Sequence, residues 1–120
     1  MTESLQKIVL GDVLDPPHRK MLITWLKENT TGNARIRSGV PKGWEVGDKT
    51  GSGYYYGTTN DTAVIWPPRC EPLVVTIFYS NNKRDAPKRE DMLASATKML
   101  LQSFAKSNHC LKSELNRETV

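Results

Sequence analysis

The sequence predicts an α+β domain in which helices pack on an antiparallel β-sheet, here a partial domain with three strands and flanking helices. Apolar residues recur at helical spacing near both ends of the chain, as in Met21, Leu22, Trp25 and Leu26. Between those ends the pattern changes to runs of β-branched and aromatic residues, Thr62-Ala63-Val64-Ile65-Trp66 and Leu73 to Tyr79 among them. The connections between these runs are short and hold Gly or Pro, which suits a meander.

Taken in order, Leu5, Ile8, Val9 and Leu10 fit the last turns of a helix that stops at Gly11. Asp15 reads as an N-cap with Pro16 at the first helical position, opening a helix that runs to about Asn29. Asn33 to Ser38 suits a short helical turn, and Val40-Pro41-Lys42-Gly43 a turn. The first strand spans Trp44 to Thr50, and Gly51-Ser52-Gly53 ends or bends it. The second runs from Gly57 to Trp66, and the third from Leu73 to Tyr79. The third is apolar at nearly every position, which predicts burial on both faces and a partner outside this chain for its open edge. Pro87 opens a last helix with Met92, Leu93, Ala96, Met99, Leu100 and Phe104 along one face. From about Ser107 the pattern stops, so residues 1–107 are expected to form the domain and 108–120 a loosely ordered polar tail.

Composition excludes several classes. With 38% hydrophobic and 25% charged residues the chain reads as globular rather than disordered. No apolar run reaches the roughly 18 residues of a membrane-spanning helix. The first residues lack the basic-then-apolar pattern of a signal peptide. A net charge of +4 raises nucleic acid as a partner, but Lys83, Arg84, Lys88 and Arg89 are interleaved with Asp85, Glu90 and Asp91, so no basic stripe forms and no nucleic acid is expected. Cys70, Cys110, His18 and His109 have no metal-ligand spacing, so no metal or other cofactor is expected. Whether the two cysteines pair is left open by the sequence.

The central chemical signal is Lys49-Thr50-Gly51 at a strand end, followed by Ser52-Gly53. A cation and two hydroxyls on one strand suit a ligand carboxylate, and fixed N–H donors suit negative charge that develops on an amide oxygen under attack. Read by itself, Lys49 is a solvated strand lysine. The context is more specific. Gly43-Trp44-Glu45-Val46-Gly47-Asp48 leads into the motif. Asn29-Thr30-Thr31-Gly32 and Arg35-Ile36-Arg37 precede it, and Gly57-Thr58-Thr59-Asn60-Asp61 and Ala63-Val64-Ile65-Trp66-Pro67-Pro68 follow. From about Leu5 to Phe104, in order and near spacing, these segments resemble class A serine β-lactamases.

The resemblance implies a β-lactamase/transpeptidase-like fold. The function it implies is β-lactam-ring hydrolysis through a serine acyl-enzyme, an antibiotic-resistance activity with no cofactor. Lys49, Thr50, Gly51 and Ser52 would bind substrate. Lys49 and the backbone N–H of Ser52, one oxyanion donor, would belong to the catalytic set. Arg35 would help hold the substrate carboxylate, because Thr59 stands where many members have an arginine. A subgroup that includes carbapenem-hydrolysing enzymes has arginine at the Arg35 position, although Gly53 departs from that subgroup's disulfide cysteine. Arg89 is a rival cation, and a surface role is the plain alternative for Arg35. Arg37 and Asp48 would form a supporting pair beneath the strand. The parent is expected to be monomeric, periplasmic or secreted, and free of membrane and nucleic-acid partners. The other readings are a segment of a penicillin-binding transpeptidase, which shares the motif, and a non-catalytic remnant.

The family also uses Ser-x-x-Lys, Ser-Asp-Asn and a water-activating glutamate. Ser4-Leu5-Gln6-Lys7, Ser80-Asn81-Asn82-Lys83 and Ser103-Phe104-Ala105-Lys106 match the first pattern by spacing only, since the family's nucleophile lies far upstream of the motif. Ser-Asp-Asn is absent, and Ser113-Glu114-Leu115-Asn116 lacks the glutamate's context. The expectation is therefore that a preceding segment carries this machinery, that Met1 is internal or opens a truncated frame, and that the chain alone is inactive. Tyr54-Tyr55-Tyr56 suits either the lining of a substrate entrance or ordinary strand and loop aromatics, the latter favoured for Tyr54 and Tyr55, and Trp25, Trp44 and Trp66 read as core.

Overall fold

In a computed structural model, residues 1–117 are described. The order is α1 (Thr2–Val9), α2 (Pro16–Lys27), a short 3-10 helix (Ile36–Gly39), β1 (Glu45–Ser52), β2 (Thr59–Trp66), β3 (Leu73–Tyr79), α3 (Glu90–Ala105) and α4 (His109–Arg117). The sheet order is β1-β2-β3, antiparallel throughout, with Lys49 opposite Thr62 and Thr62 opposite Thr76. This is the α+β arrangement that the sequence predicts.

Alternation along the strands gives the sheet two apolar faces. Val46, Ala63 and Ile65 pack with Ile36, Trp44, Leu101, Ala105 and Leu111 on the side of α3 and α4. Val64 packs with Leu5, Val9 and Leu26, on the side of α1 and α2. Helices therefore sandwich the sheet, and β2 is buried almost throughout.

Local chemistry sets the element ends. Asp15 Oδ1 accepts from the His18 backbone N–H at 3.0 Å, and Pro16 opens α2. β1 runs on through Gly51 and Ser52 because they pair with Asn60 and Thr59. β2 begins at Thr59, two residues later than expected, because Tyr56 and Gly57 both take left-handed φ, 61° and 60°. At Gly57 a side chain is also barred by space, since a Cβ there would lie 2.4 Å from the Pro87 carbonyl oxygen. The same approach delays α3 to Glu90, as the Arg89 N–H donates to Thr59 Oγ1 at 3.1 Å.

Several expectations are corrected. The residues after Ser107 are not a loose tail, because α4 buries Leu111 and Glu114. A Cys70–Cys110 disulfide and a two-point Arg69–Glu114 ion pair, at 2.9 and 2.8 Å, pin that helix to the β2–β3 turn. Residues 118–120 of the expected tail lie outside the described residues. The buried stripe of α3 is Leu93, Thr97, Leu101 and Ala105, so the expected face is rotated and Met99 and Phe104 are exposed. Trp25 is 62% exposed rather than core, since α2 meets the sheet through Leu26 with Leu22 and Ile23. β3 is half-buried on both faces and Phe78 is exposed, because β3 is an outer strand and short α1 covers only part of it.

Candidate active site

β1 presents the candidate site residues by alternation. Asp48, Thr50 and Ser52 share the face toward α3, and Lys49 and Gly51 the face toward α1 and α2. Lys49 and Ser52 are exposed and Thr50 half-buried, whereas Asp48 is fully buried. The Lys49 ammonium donates to the Thr50 carbonyl oxygen at 2.8 Å. It borders a cavity of about 410 Å³ whose other walls include Leu5, Leu22, Leu26 and Phe78. β1 is also an outer strand, so one edge of its backbone has no strand partner among the described residues.

The exposed groups stand on a buried polar foundation. Asp48 Oδ1 accepts from Arg37 Nη2 at 2.9 Å and from Asn29 Nδ2 at 3.2 Å. Gly32 leaves room for Asp48: a Cβ there would fall 1.7 Å from Asp48 Oδ2. Across the ladder, Asp61 Oδ2 accepts from the Ile36 backbone N–H at 3.2 Å. Burial, then the neighbouring Asp48 carboxylate, push the Asp61 carboxyl up to about 8, against the pull of the Ile36 N–H and of Arg35. One oxygen of each acid, Asp48 Oδ2 and Asp61 Oδ1, lacks a donor in the ionised state. A proton kept on Asp61 would give it a donor toward Asp48.

Arg35 lies beneath the motif and is only 5% exposed. Its Nη1 donates to the carbonyl oxygens of Asn60 and Gly51 at 2.8 and 3.2 Å, and its Nη2 to Ser52 Oγ at 2.7 Å. Its Nε donates to Glu90 Oε2 at 3.1 Å. Arg89, the rival cation, is exposed and spends its fork on Asp91, at 2.9 Å for both contacts.

Thus Lys49, Thr50, Gly51, Ser52, Arg35, Arg37 and Asp48 gather at one end of β1, and Arg89 faces its own partner. Sequence reasoning missed Thr31, whose hydroxyl lies 2.7 Å from that of Thr50, as well as Glu90 and Asp61. Aspartate is depleted in strands, so Asp48 and Asp61 inside paired strands were the available signal. Tyr54 and Tyr55 are exposed loop residues, Tyr55 stacking under Arg84 at 4.3 Å.

The sequence model described as "Beta-lactamase enzyme family" matches residues 1–104. A beta-lactamase of Proteus vulgaris is 47% identical over 108 residues, 90% of this chain and 40% of the relative. Beta-lactamase OXY-2 of Klebsiella oxytoca is 51% identical over 104 residues, 87% of this chain and 36% of the relative. Beta-lactamase Toho-1 of Escherichia coli is 50% identical over 104 residues, 87% of this chain and 35% of the relative. The chain thus spans two fifths or less of the length of these relatives. A family match across nearly all of the chain, joined to the placement of Lys49 to Ser52 on an outer strand, means that the chain belongs to the beta-lactamase enzyme family, and within it to class A.

Proposed function

We propose that this chain forms the carboxylate-binding and oxyanion-stabilising wall of a serine site that hydrolyses β-lactam rings. The observation that carries the reading is the end of β1, where Lys49, Thr50 and Ser52 are accessible while Arg35 fixes the strand from beneath. A substrate carboxylate would take the Lys49 ammonium from its resting contact with the Thr50 carbonyl, together with the Thr50 and Ser52 hydroxyls. Arg35 would add the N–H of Nη2 that Ser52 leaves unused. The Ser52 backbone N–H would be one oxyanion donor and the N–H of the nucleophile the other. The nucleophilic serine and the water-activating glutamate belong to a segment outside this chain. Attack opens the lactam amide to an ester on that serine, and activated water then releases the acid. Arg37, Asp48 and Asn29 act indirectly, by holding β1 in place. The relatives named beta-lactamase favour this reading over a transpeptidase. Action in the periplasm or outside the cell fits the Cys70–Cys110 bond, which persists in oxidising surroundings.

The test joins this chain to the preceding segment of Toho-1 and follows a chromogenic cephalosporin. The joined protein should hydrolyse it, and the chain alone should not. Lys49→Ala should lower kcat/KM roughly tenfold to a hundredfold with the melt unchanged, the scale of a hydrogen bond to a charged partner. Turnover by the chain alone, or a joined protein indifferent to Lys49→Ala, would overturn the reading.

A further inference from the structure

We propose that the cleft between α3, α4 and the turn at residues 40–43 is a binding site for a free anionic amphiphile, an acyl chain that ends in a carboxylate. One wall of the cleft, α4, begins at His109, beyond residue 104 where the family match ends.

The cleft has two connected parts. One, of about 330 Å³, lies between α3 and α4, with Ala105, Lys106, Lys112 and Leu115 in its walls. The other, of about 620 Å³, lies between α3 and the turn, with Val40, Lys42, Lys98 and Leu101 in its walls. Gln102 and Leu115 border both. Volumes of this order hold small ligands in other proteins. Helical spacing sets the lining, since Lys98, Leu101, Gln102 and Ala105 recur every three or four residues on one face of α3. The apolar groups are recessed: Leu101 and Ala105 are buried, and Val40 and Leu115 half-buried. All four lysines are exposed. The result is an apolar floor beneath a cationic rim.

The charge around this floor is of one sign. No acid lines either part. Among the described residues none of the four lysines has an ion-pair partner. α3 carries no acid after Asp91. The acid of α4, Glu114, is buried and turned to Arg69 on the β2–β3 turn, at 2.9 and 2.8 Å. A recess ringed by a single sign of charge focuses its field and draws in an anion. The floor then favours an anion that brings a chain to bury. A free molecule fits better than a bilayer, because a flat lipid surface meets the exposed lysines and cannot reach Leu101 or Ala105.

The test titrates the joined protein with decanoate, kept below its micelle-forming concentration, by calorimetry and by amide chemical shifts. One decanoate should bind, with the shifts gathered on α3, α4 and the turn. It should bind at least roughly a hundredfold tighter than acetate, which has no chain to bury. Decanol, which has the chain without the charge, should bind roughly tenfold more weakly than decanoate. Lys98→Ala with Lys112→Ala should weaken decanoate about fivefold, the scale of two exposed charge contacts, and leave decanol alone. Lys98→Arg with Lys112→Arg keeps both charges and should bind like the parent. Both pairs change exposed side chains, so melting like that of the parent is expected and is checked first. Decanol as tight as decanoate, decanoate no tighter than acetate, or indifference to the alanine pair would overturn the proposal. So would shifts centred elsewhere, or retention on anionic phospholipid vesicles without binding of free decanoate.

Discussion

Of the two outer strands of the sheet, β1 carries two glycines, a lysine and a buried aspartate, whereas β3 is apolar at Leu73, Val74, Val75, Ile77 and Phe78. β1 is held by discrete polar contacts from below: Arg37 and Asn29 on Asp48, Arg35 on Gly51 and Ser52. β3 is held by area spread over many half-buried side chains. Area is non-directional, while a buried charge is costly unless its partner is in place. The strand that carries the candidate site therefore depends on single atoms, and the strand that closes the sheet does not.

The sharpest way to break this contrast is Arg37→Ala. It leaves the fully buried Asp48 without its ion-pair partner, and the joined protein should lose about 3 kcal/mol. Denaturant unfolding measures this, and a midpoint like that of the parent would mean that Asp48 is not dependent on its partner. A second effect appears with pH. The folded value of Asp61, about 8, lies above its ordinary 3.8, so the folded form holds a proton that the unfolded chain gives up. The stability this contributes is whole below about pH 4, declines as pH rises, and is gone above about 8. Asp61→Asn cannot titrate and keeps a donor toward Asp48, so its advantage over the parent should widen from pH 4 to 8. Parallel melting profiles would remove Asp61 from the account. Smallest is Phe78→Thr on β3. With 68% of Phe78 exposed, the change should stay within about 0.5 kcal/mol, and a larger loss in denaturant unfolding would mean that β3 too has a single critical contact.

What was legible in the sequence follows the same division. The limits of β3, Leu73–Tyr79, were readable because a run of β-formers is bounded by Pro72 on one side and the polar Ser80 on the other. The capped start of α2 was readable because Asp15 and Pro16 act locally. The gathering at Lys49 came from motif order. The rotation of α2 and α3 was not legible, because both helices carry more apolar residues than one face can hold, leaving Trp25, Met99 and Phe104 exposed. α4 was hidden by its polar sequence: it docks through Leu111 and the partly buried Leu115, helped by the Arg69–Glu114 ion pair and the disulfide. The Arg35–Glu90 contact spans 55 residues, a distance at which no local pattern operates.

The disulfide also changes what the chain is when it is not folded. It closes a ring across a separation of 40 residues, and β3 and α3 lie on that ring. Arg35 and the Lys49 strand hang from it as a long open arm, while Glu90 travels with the ring. Closing a ring of this size lowers the entropy of the unfolded chain by the equivalent of about 4 kcal/mol in the chain-entropy picture. That advantage falls on the half bearing Glu90. The arm bearing Lys49 shares in it only through the contacts it makes on docking to the ring, and the grip of Arg35 on Glu90 is one of those contacts.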